Sequence, residues 1–290
     1  MTASTVRRPA GSGGLDSIAI DNALCHAEAY LQGAHVTSWQ PAGARPVLWL
    51  SPASAFAPGK AIRGGVPICL PWFGAHPDNP SAPSHGFVRT LDWTLDEARD
   101  EADGGTIAAF SFHHAAQSLP AWPAGFDARF VVAAGRELDL SLTIRNTGTA
   151  ETRIEAALHT YFAVSDIERV AVWGLEETEY LDKVEGFVRK REGRGPIRFT
   201  QETDRVYLDT VATCSIADPG WNRRTVIAKR GSAATVVWNP WDQRSRTMSD
   251  MGPDVWRGML CVETAAVGAS ALTLAPGESH EIGATIALSN

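Results

Sequence analysis

The feature that most constrains the fold is residues 138–145, in which apolar and polar side chains alternate at every position. Alternation with a period of two is typical of a half-buried β-strand, because successive side chains of a strand point to opposite faces. The segment ends at Asn146-Thr147-Gly148, whose residue types favour a turn. A chain built from such segments buries one face of each strand, which predicts a sheet packed against another layer.

Similar strand-like segments recur along the chain, whereas a sustained period of 3.6 residues is almost absent. The two segments that flank Lys229-Arg230-Gly231-Ser232 predict a hairpin, and residues 245–251 are the one place where a short helical turn is expected. Many short strands with turn signals and few helices predict an all-β fold, a large antiparallel β-sandwich. The further strand-like segments are residues 152–162, 225–228, 233–238, 271–274 and 281–288.

Composition limits the kinds of partner. The chain has 290 residues, of which 44% are apolar, enough for a substantial core, and no linker divides it. Its net charge of −7 argues against a nucleic-acid partner, because a protein that binds a phosphate backbone needs a basic face. No apolar run reaches the length of a membrane-spanning helix. We therefore expect a cytoplasmic monomer with neither a membrane nor a nucleic-acid partner.

The N-terminus and the cysteines indicate a simple organisation. Residues 1–14 are small, polar and Gly-rich and lack the apolar stretch of a signal peptide, which predicts a disordered lead-in to a single β-sandwich domain over residues 15–290. The four cysteines are scattered, with no CxxC pair and no histidine at zinc spacing. Neither a disulfide framework nor a metal or other cofactor is expected. Cys69 and Cys261 lie in apolar runs and are interpreted as small core residues.

Residues 63–89 predict the wall of an anion-binding pocket. Adjacent Gly64 and Gly65 let the backbone take a positive φ or pass close to a ligand, and the two prolines that follow remove amide donors that a central strand would need. Arg63 and Arg89 flank the segment. The planar guanidinium of arginine donates paired hydrogen bonds to phosphate or carboxylate, and an acidic chain that binds an anion needs such a local cationic site.

Two further residues are candidates for acid–base chemistry. His159 follows an apolar run. From the residues alone a structural histidine is the favoured interpretation, since histidine is often buried to an intermediate degree, yet its ordinary pKa of about 6.5 suits proton transfer at neutral pH. Glu263 is the one charged residue in the apolar run 259–267. Desolvation opposes a buried carboxylate, so Glu263 is either at a solvent-facing strand end or a general base with a shifted pKa.

Several motifs together resemble one family of sugar isomerases. The run R-G-G-V-P-I-C-L-P-W-F-G at residues 63–74, followed by H-G-F-V-R at 85–89 and by Trp93, is similar to the hexose-6-phosphate mutarotases, the glucose-6-phosphate 1-epimerases of the aldose 1-epimerase superfamily. Residues 157–162 and 261–265 resemble the segments that carry the family's catalytic histidine and glutamate. The motifs D-K-V, T-D-R-V-Y and V-W-N-P lie between them in the family's order. The resemblance extends over most of the chain.

The resemblance implies a galactose mutarotase-like supersandwich with the sugar site in a cleft on one sheet. It implies that Glu263 is the base and His159 the acid of an anomer interconversion. The base takes the proton of the C1 hydroxyl while the acid protonates the ring oxygen. The ring opens to the aldehyde, C1 rotates about its bond to C2, and the ring closes on the other face, with no metal, cofactor or covalent intermediate required.

The resemblance also implies which residues hold the sugar. His85 is expected near the ring or C1 oxygens, although a loop histidine that caps backbone groups fits the sequence equally well. Asp204 is expected to accept hydrogen bonds from ring hydroxyls, with a turn residue or a partner of Arg205 as the alternative. Some family members carry glutamine before the His-Gly pair, where this chain has Ser84 and its hydroxyl. Trp238 is the tryptophan expected to line the site.

The sequence therefore predicts an isomerase that interconverts the anomers of a hexose 6-phosphate, glucose 6-phosphate first, with Arg63 and Arg89 as phosphate ligands. An epimerase for unphosphorylated aldoses is the first alternative, and the arginines argue against it because a neutral sugar offers them no charge. A non-catalytic carbohydrate-binding or sugar-sensing module is the second, and it would not need His159 and Glu263 together. Glycoside hydrolysis generally needs two carboxylates that flank the bond, so Asp204 would have to be the second.

Overall fold

The structure is a computed structural model that describes residues 5–289. Within those residues it contains one α-helix, α1 (Trp241–Ser245), and four 3-10 helices, at Ser12–Gly14, Val88–Thr90, Val255–Gly258 and Gly268–Ser270. None of these described helices has the length and apolar composition that crossing a membrane requires. The strands, in chain order, are β1 (Val6–Arg7), β2 (Ser17–Asp21), β3 (Cys25–Tyr30), β4 (His35–Pro41), β5 (Ile68–Cys69), β6 (Thr94–Asp100), β7 (Thr106–His114), β8 (Phe126–Ala134), β9 (Leu138–Asn146), β10 (Thr152–Ile154), β11 (Ala156–Leu158), β12 (Tyr161–Ala163), β13 (Ala171–Trp173), β14 (Glu179–Asp182), β15 (Val188–Arg191), β16 (Thr203–Tyr207), β17 (Cys214–Asp218), β18 (Arg223–Arg230), β19 (Ala234–Asn239), β20 (Met259–Ala266), β21 (Leu272–Leu274) and β22 (Ser279–Ser289).

Two eight-stranded sheets form most of the protein. The first, here called the site sheet, has the strand order β15-β14-β16-β19-β20-β11-β5, with β12 also paired to β20. The second sheet has the order β13-β17-β18-β22-β9-β8-β7-β6. A four-stranded sheet, β1 to β4, and the pair β10-β21 complete the architecture. The named strands of both large sheets pair antiparallel, which confirms the all-β antiparallel sandwich predicted from the alternation.

The alternating segment of the sequence behaves as its pattern predicts. In β9 the four apolar side chains of Leu138, Leu140, Leu142 and Ile144 are fully buried, while the polar residues between them are partly exposed. These side chains belong to one large hydrophobic cluster that also includes Val262 of the site sheet. Complete burial of one such side chain contributes about 1.5–3 kcal/mol, so the shared core holds the two large sheets together.

Two local predictions are wrong. The segments on either side of Lys229-Arg230-Gly231-Ser232 do not form a hairpin: β18 pairs with β17 and β22 in the second sheet, whereas β19 pairs with β16 and β20 in the site sheet. The connection between them crosses from one sheet to the other. Alternation identifies a strand but does not identify its neighbours. The helical turn expected over residues 245–251 begins earlier, as α1.

The N-terminal segment also differs from its prediction. Residues 1–4 of the predicted disordered lead-in lie outside the described residues. Beyond them, β1 pairs with β2 through Val6↔Ile20 and Arg7↔Ala19, and the Ser12 amide donates to the hydroxyl of Tyr30. Residues 5–14 therefore have an ordered path. The small and polar composition of residues 5–14 did not predict this path, because the contacts that define it are made with residues distant in the sequence.

The Gly-rich segment that follows Arg63 takes the backbone conformations that its residues predict. Gly64 and Gly65 have φ of 115° and 61°. Gly86, in the loop that returns to the same place, has φ of 74° and lies against the backbone of Leu70 and Pro71, which follow β5: a Cβ on Gly86 would lie 1.8 Å from the carbonyl oxygen of Leu70. A side chain cannot be placed there without moving the loop that carries His85.

We expect Gly86→Ala to destabilise the protein much more than Gly43→Ala. Gly43 has the same φ of 74° but no atom within 4 Å of its Cβ position. Gly43→Ala therefore costs only the left-handed backbone penalty of about 1–2 kcal/mol, whereas Gly86→Ala adds a collision with main-chain atoms. Thermal unfolding followed by circular dichroism checks this, and equal losses in the two variants would show that the close approach at Gly86 is unimportant.

Candidate active site

A cleft of about 1040 Å³ lies over the site sheet. Its lining combines the segment after β5, the turn between β14 and β15, strands β16, β19 and β20, and the segment that contains α1. The structure brings all of the residues predicted for the site to this one cleft: Arg63, Ser84, His85, Arg89, His159, Asp204, Trp238 and Glu263. Because they come from elements far apart in sequence, the strand order of the site sheet is what gathers them.

His159 and Glu263 face each other at the floor of the cleft. The pairings Leu158↔Thr264 and Tyr161↔Cys261 place His159 opposite Glu263 on the neighbouring strand. Residues directly opposite in an antiparallel pair share a face of the sheet. The ring atom Nδ1 of His159 lies 3.3 Å from Oε1 of Glu263, and their side chains are 7% and 1% exposed.

A tight turn at His159 frees its backbone from β20. The Thr160 amide donates to the Leu158 carbonyl at 2.9 Å, which makes His159 the central residue of a three-residue turn. The His159 amide donates instead to the carbonyl of Pro67 at 3.0 Å. The histidine backbone is therefore anchored to the Gly- and Pro-containing segment, while its side chain reaches over β20.

The polar atoms of this pair have no hydrogen-bond partner among the described residues: Nδ1 of His159 and both carboxylate oxygens of Glu263 are buried and unpaired. Burial raises the pKa of Glu263 well above its ordinary value, and burial also lowers the pKa of His159 well below its own. Desolvation disfavours the charged form of both groups. Burial therefore shifts both groups towards their neutral forms, a protonated glutamate and an imidazole that carries a single N–H.

Two aromatic rings, those of Tyr161 and Trp238, pack against the imidazole of His159. The ring of Tyr161 stacks on that of His159 with centroids 4.8 Å apart and planes 8° apart. Trp238 presents an edge to both rings, at 5.9 Å from each. The Tyr161 hydroxyl accepts a hydrogen bond from Nη1 of Arg63 at 2.9 Å. The expectation that Trp238 lines the site is consistent with this geometry, and Tyr161 is a supporting residue that the sequence reasoning missed.

His85 both lines the cleft and caps the backbone. Its φ is 65°, and its amide donates to the carbonyl of Gly74 at 2.7 Å. The Gly74 amide donates back to Nδ1 of His85 at 3.3 Å, so the proton of the neutral ring sits on Nε2. The ring centroid lies 5.5 Å from that of His159. Burial, followed by the charge of Arg89, lowers the pKa of His85 well below its ordinary value, so His85 is neutral there.

Arg63 and Arg89 differ in how much of their hydrogen-bonding capacity is already used. Arg63 donates from Nε and Nη2 to Oδ2 of Asp250, at 3.0 and 2.9 Å, and from Nη1 to Tyr161. Arginine has five N–H donors, so two remain. Arg89 donates from Nη2 to the backbone carbonyl of Ser84 at 2.7 Å, and its buried Nε has no partner among the described residues. Arg89 is therefore the freer of the two.

Asp204 has a partner that the sequence did not suggest. Its Oδ2 lies 2.9 Å from Nζ of Lys183, while Arg205 pairs with Glu192 instead. The other oxygen of Asp204, Oδ1, is buried and unpaired, and burial raises the pKa of this carboxyl. Asp204 therefore presents one free acceptor to the cleft, as a residue that binds a sugar hydroxyl would. Lys183 itself was missed, although it lies in the D-K-V motif.

Arg244 is a second lining residue that the sequence reasoning missed. It lies in α1, and its guanidinium makes no hydrogen bond to any residue of the described chain, although it lines the cleft. A lone arginine in a short helix carries no sequence signal that separates it from surface arginines. Its neighbour Arg246 shows the contrast, because that side chain is held by Asp242 at 2.8 Å.

One set of potential metal ligands lies at the cleft floor. A ligand atom from each of His159, Cys261 and Glu263 lies within 4.8 Å of the other two, and all three residues are buried. Cys261 is fully buried and is not part of the cleft lining. The anomer interconversion set out above assigns no task to this thiol.

An antiparallel β-sandwich with a histidine and a glutamate at the floor of a cleft is the arrangement that the sequence motifs implied. Comparison with known sequences agrees, because the profile of the aldose 1-epimerase family matches residues 16–286. The chain belongs to the aldose 1-epimerase family. The resemblance found in the sequence motifs is thereby confirmed.

Several individual proteins are also similar to this chain. A protein from Cenchrus ciliaris with the proposed name glucose-6-phosphate 1-epimerase is 41% identical over 285 residues, which cover 95% of this chain and 84% of that one. A protein from Escherichia coli K12 with the same proposed name is 40% identical over 253 residues, 87% of this chain and 83% of the other. Among solved structures, YeaD of Salmonella typhimurium, a proposed mutarotase, superposes with a TM-score of 0.91 at 33% identity, covering 99% and 94% of the two chains.

We expect Glu263→Gln to raise the melting temperature at neutral pH. Because burial raises the pKa of Glu263 in the folded protein, the carboxyl ionises more readily in the unfolded chain. The wild type therefore loses stability as pH rises above the unfolded value of about 4.5, up to the folded pKa, and glutamine does not. Each kcal/mol corresponds to about 2–4 °C in a chain near this size.

The matched control is Glu155→Gln. Glu155 also lines the cleft, but its carboxylate accepts hydrogen bonds from the amides of Phe73 and Gly268, at 3.0 and 2.8 Å. Glu155→Gln should therefore not raise the melting temperature of the protein. Melting curves of the wild type and both variants between pH 4 and pH 8 provide the measurement. A gain for Glu263→Gln that is as large at pH 4 as at pH 7 would mean that ionisation is not its cause.

Proposed function

We propose that this protein interconverts the α and β anomers of hexose 6-phosphates, glucose 6-phosphate first, by acid–base ring opening and closure at His159 and Glu263. The observation that carries the proposal is the pair itself: two proton-transfer groups 3.3 Å apart, buried, with their polar atoms unpaired, at the floor of a cleft large enough for a sugar. A non-catalytic sugar-binding module would have no need to bury these two groups together.

The pair carries one transferable proton. With that proton on the imidazole, Glu263 is the carboxylate that takes the C1 hydroxyl proton, and His159 protonates the ring oxygen. When the proton is on the carboxyl instead, the pair holds the same number of protons. Without substrate the pair favours this arrangement, in which both groups are neutral, because burial desolvates them both. The sugar hydroxyls supply the hydrogen bonds that the pair lacks, which stabilises its charged arrangement when substrate binds. Such a coupled pair titrates as a unit.

The rest of the cleft supports a phosphorylated sugar. Oδ1 of Asp204 and the Nε2–H of His85 offer one acceptor and one donor to sugar oxygens. Arg89 and Arg244 present guanidinium donors that no carboxylate of the described residues neutralises by direct contact, and Arg63 retains two. A neutral aldose would leave this positive charge without a partner, which disfavours the free-aldose alternative. The proposed names of the relatives point to the same substrate.

Some expectations from the sequence stay predictions. These are the direct contact of the Ser84 hydroxyl with substrate, action as a monomer and location in the cytoplasm. The Ser84 carbonyl already accepts a hydrogen bond from Arg89.

The test of the proposal is the rate of anomer exchange of glucose 6-phosphate, followed by exchange NMR or polarimetry. We expect the wild type to accelerate it, and His159→Asn and Glu263→Gln each to lower kcat by about 100-fold or more, the usual contribution of one positioned proton-transfer group. Circular dichroism verifies that both variants are folded. An accelerated rate in the wild type that survives in either variant would remove that residue from the catalytic pair.

Specificity is tested with the arginines. Arg89→Ala and Arg244→Ala should each lower kcat/KM for glucose 6-phosphate by about ten- to a hundredfold, since hydrogen bonds to charged groups contribute about 1.5–3 kcal/mol and about 1.4 kcal/mol is tenfold. Activity on free glucose should change much less. Arg63→Ala should lower activity on both sugars, because Arg63 also holds Tyr161 beneath His159.

The control for the arginine series is Arg246→Ala. Arg246 lies two residues from Arg244 but is paired with Asp242 and does not line the cleft. Its replacement should leave the ratio of kcat/KM for the two sugars unchanged. If Arg89→Ala and Arg244→Ala lower activity on glucose as much as on glucose 6-phosphate, these residues do not bind the phosphate. The protein is then better described as an epimerase of unphosphorylated aldoses.

A further inference from the structure

The thiol of Cys261 lies next to the catalytic pair without taking part in the proposed reaction. Cys261 precedes Glu263 by two residues on β20, so the two side chains point to the same face of the sheet. Its strand neighbour is Tyr161, whose ring stacks on His159. A ligand atom of each of His159, Cys261 and Glu263 lies within 4.8 Å of the others. Three side chains of metal-binding type thus converge from adjacent strands.

The atoms that face this point are unpaired. Nδ1 of His159 and both oxygens of Glu263 are buried and make no hydrogen bond to the described residues, and the Glu263 side chain is only 1% exposed. Buried polar atoms in native proteins nearly always have a partner. The sugar supplies those partners while it is bound. In the sugar-free protein the same atoms are open to another ligand.

We propose that His159, Cys261 and Glu263 bind a zinc ion in the sugar-free protein and that the bound ion inhibits the epimerase. Thiolate, imidazole and carboxylate are the ligands of tetrahedral zinc, at about 2.3, 2.0–2.1 and 2.0–2.2 Å. Those lengths correspond to roughly 3.3–3.6 Å between ligand atoms in a tetrahedron. Nδ1 and Oε1 are already 3.3 Å apart, and all three ligand atoms lie within 4.8 Å of one another, so closing the site requires shifts of at most about 1.5 Å.

The charges of the complex balance. Zinc carries two positive charges, and the thiolate and the carboxylate carry one negative charge each, so binding leaves no net charge at the buried floor. A buried charge that is not compensated is costly. Binding releases the thiol proton and the proton shared by His159 and Glu263, so affinity rises with pH.

The ligand set selects the kind of metal. A thiolate and an imidazole suit zinc, whereas magnesium and calcium prefer sites made of oxygen atoms. Three protein ligands leave a fourth position, where water can complete the tetrahedron. Since the ion would occupy the two groups that the sugar must reach, binding of zinc and binding of sugar exclude each other.

Cobalt(II) tests the binding site directly, without reference to activity. Titrated into the sugar-free, full-length protein, cobalt should produce a thiolate-to-cobalt charge-transfer band that zinc abolishes by displacement. Cys261→Ser and Cys261→Ala should both lose the band, with unchanged circular dichroism. Cys214→Ser, which alters a buried thiol on β17 of the second sheet, should retain it. A wild type without the band, or a band that survives both Cys261 variants, overturns the proposal.

A neighbouring thiol provides the sharper control. Sγ of Cys69 lies 3.4 Å from Nδ1 of His85, at the same cleft, so it is the other thiol that a metal could reach. Cys69→Ser should keep the cobalt band if the site is the one proposed. Loss of the band in Cys69→Ser with retention in Cys261→Ser would assign the metal to Cys69 and His85 and would refute the site at Cys261.

The inhibitory effect rests on the proposed function and is measured separately. Zinc should raise KM for glucose 6-phosphate without lowering kcat, and EDTA should reverse this. Cys261→Ser should keep its basal activity and need at least about tenfold more zinc for equal inhibition, since even indirect support of a ligand is worth 10–100-fold in affinity. A cobalt band without inhibition refutes the inhibitory part. A zinc-free wild type that does not epimerise refutes the function, while the cobalt band still decides the site.

Discussion

The active site depends on one interruption in the hydrogen bonding between neighbouring strands. On either side of His159, β11 and β12 pair with β20, and at His159 the chain makes a three-residue turn whose amide bonds to Pro67 instead. An unbroken strand would hold the histidine backbone against β20 at the same register. The turn keeps that register, which sets His159 opposite Glu263, and ties the histidine to the segment that follows Arg63. The Pro67 carbonyl thus links His159 to the pocket wall.

The position of Glu263 shows a conflict between stability and function. All eight residues of β20 are buried, so a carboxyl there loses its hydration and gains no partner from the described residues. A fold selected only for stability would place an apolar side chain at this strand centre, or a glutamate with hydrogen-bond donors such as those that hold Glu155. The unpaired carboxyl costs free energy in the folded protein, and in the proposed reaction this same lack of partners lets it exchange a proton with a sugar hydroxyl rather than remain fixed as an anion.

The features that the sequence predicted best are those that depend only on neighbouring residues. The alternation of β9 predicted a buried strand, and the paired glycines predicted positive φ, because both depend only on neighbouring residues. The family motifs predicted all eight candidate residues of the cleft, although their individual roles stay proposals. Pairing between strands was not predictable: the sequence around Gly231 looks like a hairpin, yet it connects two sheets. No local sequence pattern identifies a neighbouring strand that is distant in the sequence.

The same limit explains which site residues were missed. Arg244 sits in a short helix and resembles any surface arginine until the fold places it at the cleft. The partner of Asp204 was sought in the adjacent Arg205 and is instead Lys183, because β14 and β16 are neighbours in the site sheet. Cys261 was interpreted as a core residue, and its burial agrees. Its proximity to His159 follows from the same register that pairs β12 with β20, and single-residue patterns do not contain that register.

Charge in the cleft shows why net charge is a poor guide to the ligand. Four cationic and five acidic side chains line it, so a count alone would predict a site for a neutral or cationic molecule. Asp250 and Asp204 are held by Arg63 and Lys183, Glu155 accepts backbone amides, and burial favours the neutral form of Glu263. Four of the five acids are thus accounted for by contacts or burial within the protein, and the fifth, Glu202, feels the charge of Arg244. The guanidiniums of Arg89 and Arg244 form no ion pair with a carboxylate of the described residues. An acidic chain can present a cationic site to a sugar phosphate because hydrogen bonding within the fold neutralises one sign of charge more completely than the other.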